Sequence, residues 1–171
     1  MDLDDLEDLF DDLDIEGPTS SQLFTLYGIF LNDIAKKPLV VNGQQVQYNN
    51  AKSRHPICVG KALAFEHIIT RESKYSNKRN FDPIRANKVH WIRPIIENAG
   101  DPRIKYFERV NDKGFNQLFY WYPEKEFIII IRMIKPNYLL ITAFCVDYGE
   151  RTMFKAWFEE YEKQKKTSLR K

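Results

Sequence analysis

The sequence predicts an α+β fold in which N-terminal helices are followed by a four-stranded antiparallel β-meander and a C-terminal helix. Three observations predict it. Up to Gly100 the apolar residues recur mostly at helical spacing; beyond it come four runs rich in aromatic and β-branched residues, split by short turn-forming segments; the final run is amphipathic and basic. With 171 residues, 43% of them hydrophobic, the chain can fill one core and carry an appendage. The expected divisions are an acidic amphipathic segment over 1–17, a helix-plus-hairpin accessory region over 18–50, an α+β core over 51–150, and a terminal helix with a basic tail over 151–171.

Residues 1–16, MDLDDLEDLFDDLDIE, hold nine of the 24 acidic residues and none of the 26 basic ones. The other 15 acids face all 26 bases, so the rest of the chain has a surplus of 11 positive charges. Leu3, Leu6, Leu9, Phe10 and Leu13 would line one face of a short helix, ended by Gly17-Pro18. Two readings stand for this segment: a solvated helix docked on its own domain or a partner, or a row of carboxylates that mimics a phosphate backbone and shields a basic groove. Under the second, deleting residues 1–16 strengthens RNA or DNA binding at low salt.

A helix is expected from about Pro18 to Lys37, capped by Thr19 or Ser20. Asn42-Gly43 between two extended runs signals a hairpin. NNAKSRHP, from Asn49, reads as a loop. A helix over roughly Val59 to Arg71 would align Val59, Leu63, His67 and Thr70, with Arg71 beside His67. A second, capped by Asp82-Pro83, runs to Gly100 with an interruption at Pro94. Its apolar arc encloses Arg85 and Lys88, so both cations should point coreward, while His90 and Arg93 fall on the wet side. A coreward cation needs an anion, either a protein carboxylate or a substrate phosphate.

The four strands are RIKYFERV, QLFYWYPE, EFIIIIRMI and NYLLITAFCVDY, with EFIIIIRMI central because it is the most continuously apolar. RTMFKAWFEEYEKQKKTSLRK should pack through Met153, Trp157, Phe158 and Tyr161. Cys58 and Cys145 form no CxxC pair and no Cys/His set at zinc-ligand spacing, so a reducing, cytoplasmic setting is expected, with no metal or cofactor. The N-terminus lacks the layout of a signal peptide, and no apolar run is long enough to span a bilayer. GxSxG, Walker, HExxH and GxGxxG motifs do not occur.

AFEHIITRES, residues 64–73, places a histidine, a threonine and an arginine within five positions. Together they suit phosphodiester chemistry, although a lone histidine among apolar residues also reads as a hydrogen-bonded core residue. The helix carrying HIIT, the segment RNFDPIRANKVHWIRPII and the strand ending in LLITAF resemble the small metal-independent ribonucleases and toxins grouped with barnase, EndoU, the tRNA-cleaving colicins and RelE. The closest likeness is to the branch borne by phages and mobile elements. It covers roughly residues 55–148.

The resemblance implies that residues 51–150 form a ribonuclease-like core that cleaves RNA, tRNA included. A ribose 2′-hydroxyl would attack the adjacent phosphate and leave a 2′,3′-cyclic phosphate, without a metal. His67 would transfer the proton, Arg85 would hold the phosphate and Thr142 would donate a hydrogen bond to it. Arg71, Arg79 and Lys88 are secondary phosphate ligands, and Tyr120, Trp121, Tyr122 or Tyr148 would stack a base, although FYWY also reads as alternating core and surface. RNA and an immunity or antitoxin protein are the implied partners, and no membrane is. One departure is that neither His55, beside Pro56, nor His90 is placed to complete an acid and base pair. The competing reading is a non-catalytic nucleic-acid-binding or protein-interaction module of a mobile element.

Overall fold

The structure is a computed structural model that describes residues 1–169; Arg170 and Lys171, at the end of the expected basic tail, lie outside it. Its architecture is α+β, built on a mixed sheet of six strands in the order β1-β2-β8-β7-β6-β5. Strands β5 (Lys105–Val110), β6 (Asn116–Tyr122), β7 (Phe127–Ile134) and β8 (Asn137–Cys145) run antiparallel. The expected four-stranded sheet is too small. β2 (Gln44–Tyr48) adds in parallel to β8, and β1 (Val40–Val41) pairs with β2 across Asn42-Gly43. Positive φ at Asn42 and Gly43 gives the tight turn that this dipeptide encodes. The hairpin therefore belongs to the main sheet.

Both faces of the central strands are covered. Leu118, Tyr120, Tyr122, Phe127, Ile129 and Ile131 face the main core, while Phe119, Trp121 and Ile128 face a second cluster with Phe107 and Phe154. Two-sided burial explains the unbroken apolar run FIIII, since neither side of that strand meets water. α5 (Tyr148–Leu169) closes the second face. Its buried anchor is Phe154, not Met153, which remains 38% exposed; Trp157, Phe158 and Tyr161 pack beside it.

The helical half covers the main core in shorter pieces than the periodicity predicts. α1 (Ser20–Phe30) starts at a reciprocal capping box between Thr19 and Gln22, then loosens into a π-helical turn, Leu31–Lys36. α2 is only Leu63–Ile69: Gly60 adopts positive φ, Val59 is 63% exposed, and Thr70 has already entered a strand. That strand, β3 (Thr70–Glu72), pairs with β4 (Arg79–Phe81) in a small hairpin that periodicity did not reveal. The expected helix from Pro83 breaks into α3 (Pro83–Ala86), a 3-10 turn (Val89–Trp91) and α4 (Ile92–Glu97). Pro94 sits in the first turn of α4, where its missing N–H costs little, and the interruption falls earlier, at Asn87-Lys88. The break also turns His90 inward, to 9% exposure, contrary to the wet side expected for it.

Asn87 explains why the acidic segment is no helix. Its side chain donates to Phe10 O at 2.8 Å and accepts from Phe10 N at 2.8 Å, and its carbonyl accepts from Leu9 N. Backbone groups that a helix would have used are satisfied from outside, and only Leu3–Asp5 forms a 3-10 turn. Leu3 and Leu6 are fully buried, with Leu9, Phe10 and Leu13 packed beside them. The segment is part of the core, not a detachable tag. Among the described residues no helix is long and apolar enough to cross a membrane.

Candidate functional site

Where α2 gives way to β3, facing α3 and β8, a cleft of about 570 Å³ opens, within the size range of small-ligand sites. His67, Arg85, Thr142, Arg71 and Arg79 line it. Residues 75 positions apart in sequence meet here because α2 packs on β8. Thr142 reaches the cleft through a bulge. Ile130 pairs with Thr142 but Ile131 pairs with Leu140, leaving Ile141 extra. The inward parity shifts from Tyr138 and Leu140 to Ala143, and both Ile141 and Thr142 end up at the cleft.

The end of α2 organises the chemistry. The carbonyl of His67 accepts from Arg85 Nη1 at 3.1 Å and from Thr142 Oγ1 at 3.3 Å, and the carbonyl of Thr70 accepts from Arg85 Nη1 too. A cation at these free carbonyls is favoured. The guanidinium also lies over the Phe144 ring, 5.4 Å from its centre. Yet Arg85 forms no ion pair among the described residues, and its Nε is buried without any partner. Burial works against its charge.

The His67 side chain is 40% exposed, with Nε2 3.9 Å from Glu66 Oε2. Burial, and then the charge of Arg79, lower its pKa and favour the neutral imidazole. Arg79 is a clamp for the β3–β4 hairpin: Nε donates to Thr70 Oγ1 at 2.8 Å, Nη2 to Thr70 O at 2.9 Å, and Nη1 approaches Glu72. Arg71 is exposed at the cleft.

The other five predicted residues stand apart from this group. Lys88 is not at the cleft; its Nζ donates to Asp8 Oδ1 at 2.8 Å and lies over the Trp91 ring, 5.2 Å from its centre. Tyr120, Trp121 and Tyr122 are 4%, 2% and 1% exposed, so this run is core on both faces and has no ring available to a base. Tyr148, by contrast, is 89% exposed next to Asp147, which lines the cleft.

Sequence reasoning missed the acidic side of the cleft. Asp147 and Glu150 form a reciprocal cap at the start of α5: Glu150 N donates to Asp147 Oδ1 at 2.8 Å and Asp147 N to Glu150 Oε1 at 3.2 Å. The hydrogen bond from Glu150 N holds the Asp147 pKa down, and burial pushes that of Glu150 up. The D-x-x-E signal was in the sequence; its position in the same cleft as His67 was not. Lys74, from the unforeseen hairpin, also lines the cleft, which thus has four basic residues against Glu72, Asp82, Asp147 and Glu150. The site is charge-balanced, and what distinguishes it is one half-buried arginine without a counter-ion. No family model, curated protein or solved structure matches the chain.

Proposed function

We propose that the cleft binds the phosphate of an RNA chain and cleaves it without a metal, by attack of the neighbouring 2′-hydroxyl. The observation that carries this reading is Arg85: a half-buried guanidinium at the cleft with an unsatisfied Nε and no carboxylate partner among the described residues. Such a group lacks an anion, and phosphate is the anion a guanidinium fits best. The acids nearby support the same choice because each has a protein partner: Asp82 caps α3, Glu72 pairs with Arg79, and Asp147 and Glu150 cap each other.

In this reading His67 takes the 2′-hydroxyl proton, and Arg85 holds the charge that gathers on the phosphate oxygens. Thr142 exchanges its bond to the His67 carbonyl for one to the phosphate. Glu150, held by its cap within the same cleft, is the group to protonate the leaving 5′-oxygen, the role for which no second histidine was found. Tyr148, exposed at the start of α5, stacks a base in this reading.

The test is cleavage of a mixed tRNA and structured-RNA pool, with excess EDTA added together with the RNA, by the wild type, Arg85→Lys and Arg85→Met. Losing one donor to a developing oxyanion lowers turnover by roughly 10²–10³-fold. Arg85→Met should lose at least that much, and Arg85→Lys should recover only a small part, because an ammonium cannot match the planar fork. Equal turnover by all three proteins, or none by the wild type, would refute the proposal.

A further inference from the structure

We propose that His55, Cys58 and Glu66 form a zinc(II) site that fastens the long connection between β2 and α2. One ring nitrogen of His55, Cys58 Sγ and a Glu66 carboxylate oxygen lie within 4.8 Å of one another. The connection, residues 49–62, contains no helix or strand, and its chain turns tightly where Cys58 N donates to His55 O at 3.0 Å. Glu66, from the first turn of α2, reaches into that turn.

The histidine is oriented as a ligand. Its Nε2 is 2.8 Å from the carbonyl of Arg79, which only accepts, so the hydrogen resides on Nε2 and Nδ1 keeps its lone pair. A ring N–H donated to a backbone carbonyl is the usual outer support of a metal-bound imidazole. Nδ1 accepts from the Ile57 N–H at 3.2 Å, a bond that zinc would replace on this lone pair.

The other two donors stand close together with little access to water. Cys58 is fully buried and Glu66 is 8% exposed, so a thiol and a carboxylate share a poorly solvated space. Among the described residues the one basic group within 4 Å of the Glu66 carboxylate is the His67 ring, at 3.9 Å, whose surroundings favour its neutral form. Sulfur, nitrogen and oxygen donors together select zinc over magnesium or calcium. The edge of a zinc tetrahedron is about 3.5 Å, so donors already within 4.8 Å need only a small inward adjustment to bind. The thiol proton is released to solvent, and Ser53 Oγ, 3.4 Å from Cys58 Sγ, is the neighbouring hydrogen-bonding group. A carboxylate as third ligand, eight positions after Cys58, is why Cys/His spacing alone did not signal the site.

The proposal does not rest on the ribonuclease reading, and its test uses no RNA. The full chain, freed of metal, is titrated with cobalt(II) and then zinc(II), alongside Cys58→Ala, His55→Gln and the control Cys145→Ser. The expected result is one equivalent of cobalt with a thiolate-to-cobalt charge-transfer band in the wild type and the control. Cys58→Ala should lack the band, and His55→Gln should bind more than about tenfold more weakly. Zinc should raise the melting temperature of the wild type but not of Cys58→Ala. A wild type without the band, or a band that persists in Cys58→Ala, would overturn the assignment, whether or not any variant folds poorly.

Discussion

At the scale of single residues, the three side chains proposed for phosphodiester chemistry could be named from the sequence, but the geometry that gathers them could not. His67, Arg85 and Thr142 were picked by residue type, periodicity and resemblance, and they meet at one carbonyl. What could not be read was the β8 bulge that brings Thr142 round, or the cap that brings Glu150 in, because both depend on pairing between distant segments. His90 shows the opposite failure. Its helical phase pointed to water, but the break at Asn87 buries it with Nδ1 unpartnered. Burial, partly offset by its bond to the Glu7 backbone, lowers its pKa below the ordinary 6.5. The unfolded chain then takes up the proton first, so stability is full above about pH 6.5 and falls as pH drops through that value toward the lowered folded pKa. Urea midpoints at pH 7 and pH 5 should show this loss, and His90→Gln should shrink it. His67 contributes with the same sign, so part of the slope will remain.

At the scale of elements, the strands and the terminal helix were legible because their signals are local: aromatic and β-branched runs between turns, and an apolar stripe at helical spacing. Boundaries failed where one tertiary partner outweighed periodicity, as Gly60 and the β3–β4 hairpin did for α2 and Asn87 did for the acidic segment. In α5, Trp157, Phe158 and Tyr161 pack as their spacing implied, but the buried anchor is Phe154 rather than Met153. Phe154 inserts among Phe107, Phe119 and Trp121, with ring centres 6.0–6.4 Å apart. Phe154→Ala should therefore cost about 3–5 kcal/mol of unfolding free energy. Met153→Ala, at the rim, should cost under about 1 kcal/mol. Chemical denaturation of the two variants measures the difference; equal losses would place the seam of the helix elsewhere.

At the scale of the whole molecule, the charge asymmetry is real but serves folding first. Asp8 pairs with Lys88 and Asp4 with Arg103, so these carboxylates neutralise cations on the body, as a shield would, but not the cations that line the cleft. The leucines between them complete the core. Leu6→Ala should cost about 2–5 kcal/mol, whereas Asp8→Asn, breaking an ion pair whose carboxylate is half exposed, should cost no more than about 1 kcal/mol. Deleting residues 1–16 should accordingly lower the melting temperature rather than simply expose a competent basic surface. The central claim concerns the cleft, and the most direct measurement is the chemistry of the cut ends. RNA incubated with the full chain in EDTA should acquire 2′,3′-cyclic phosphate and 5′-hydroxyl termini, and His67→Ala should abolish them while binding RNA nearly as well as the wild type. RNA that is bound but left intact by the wild type, or cut equally by His67→Ala, would contradict the account.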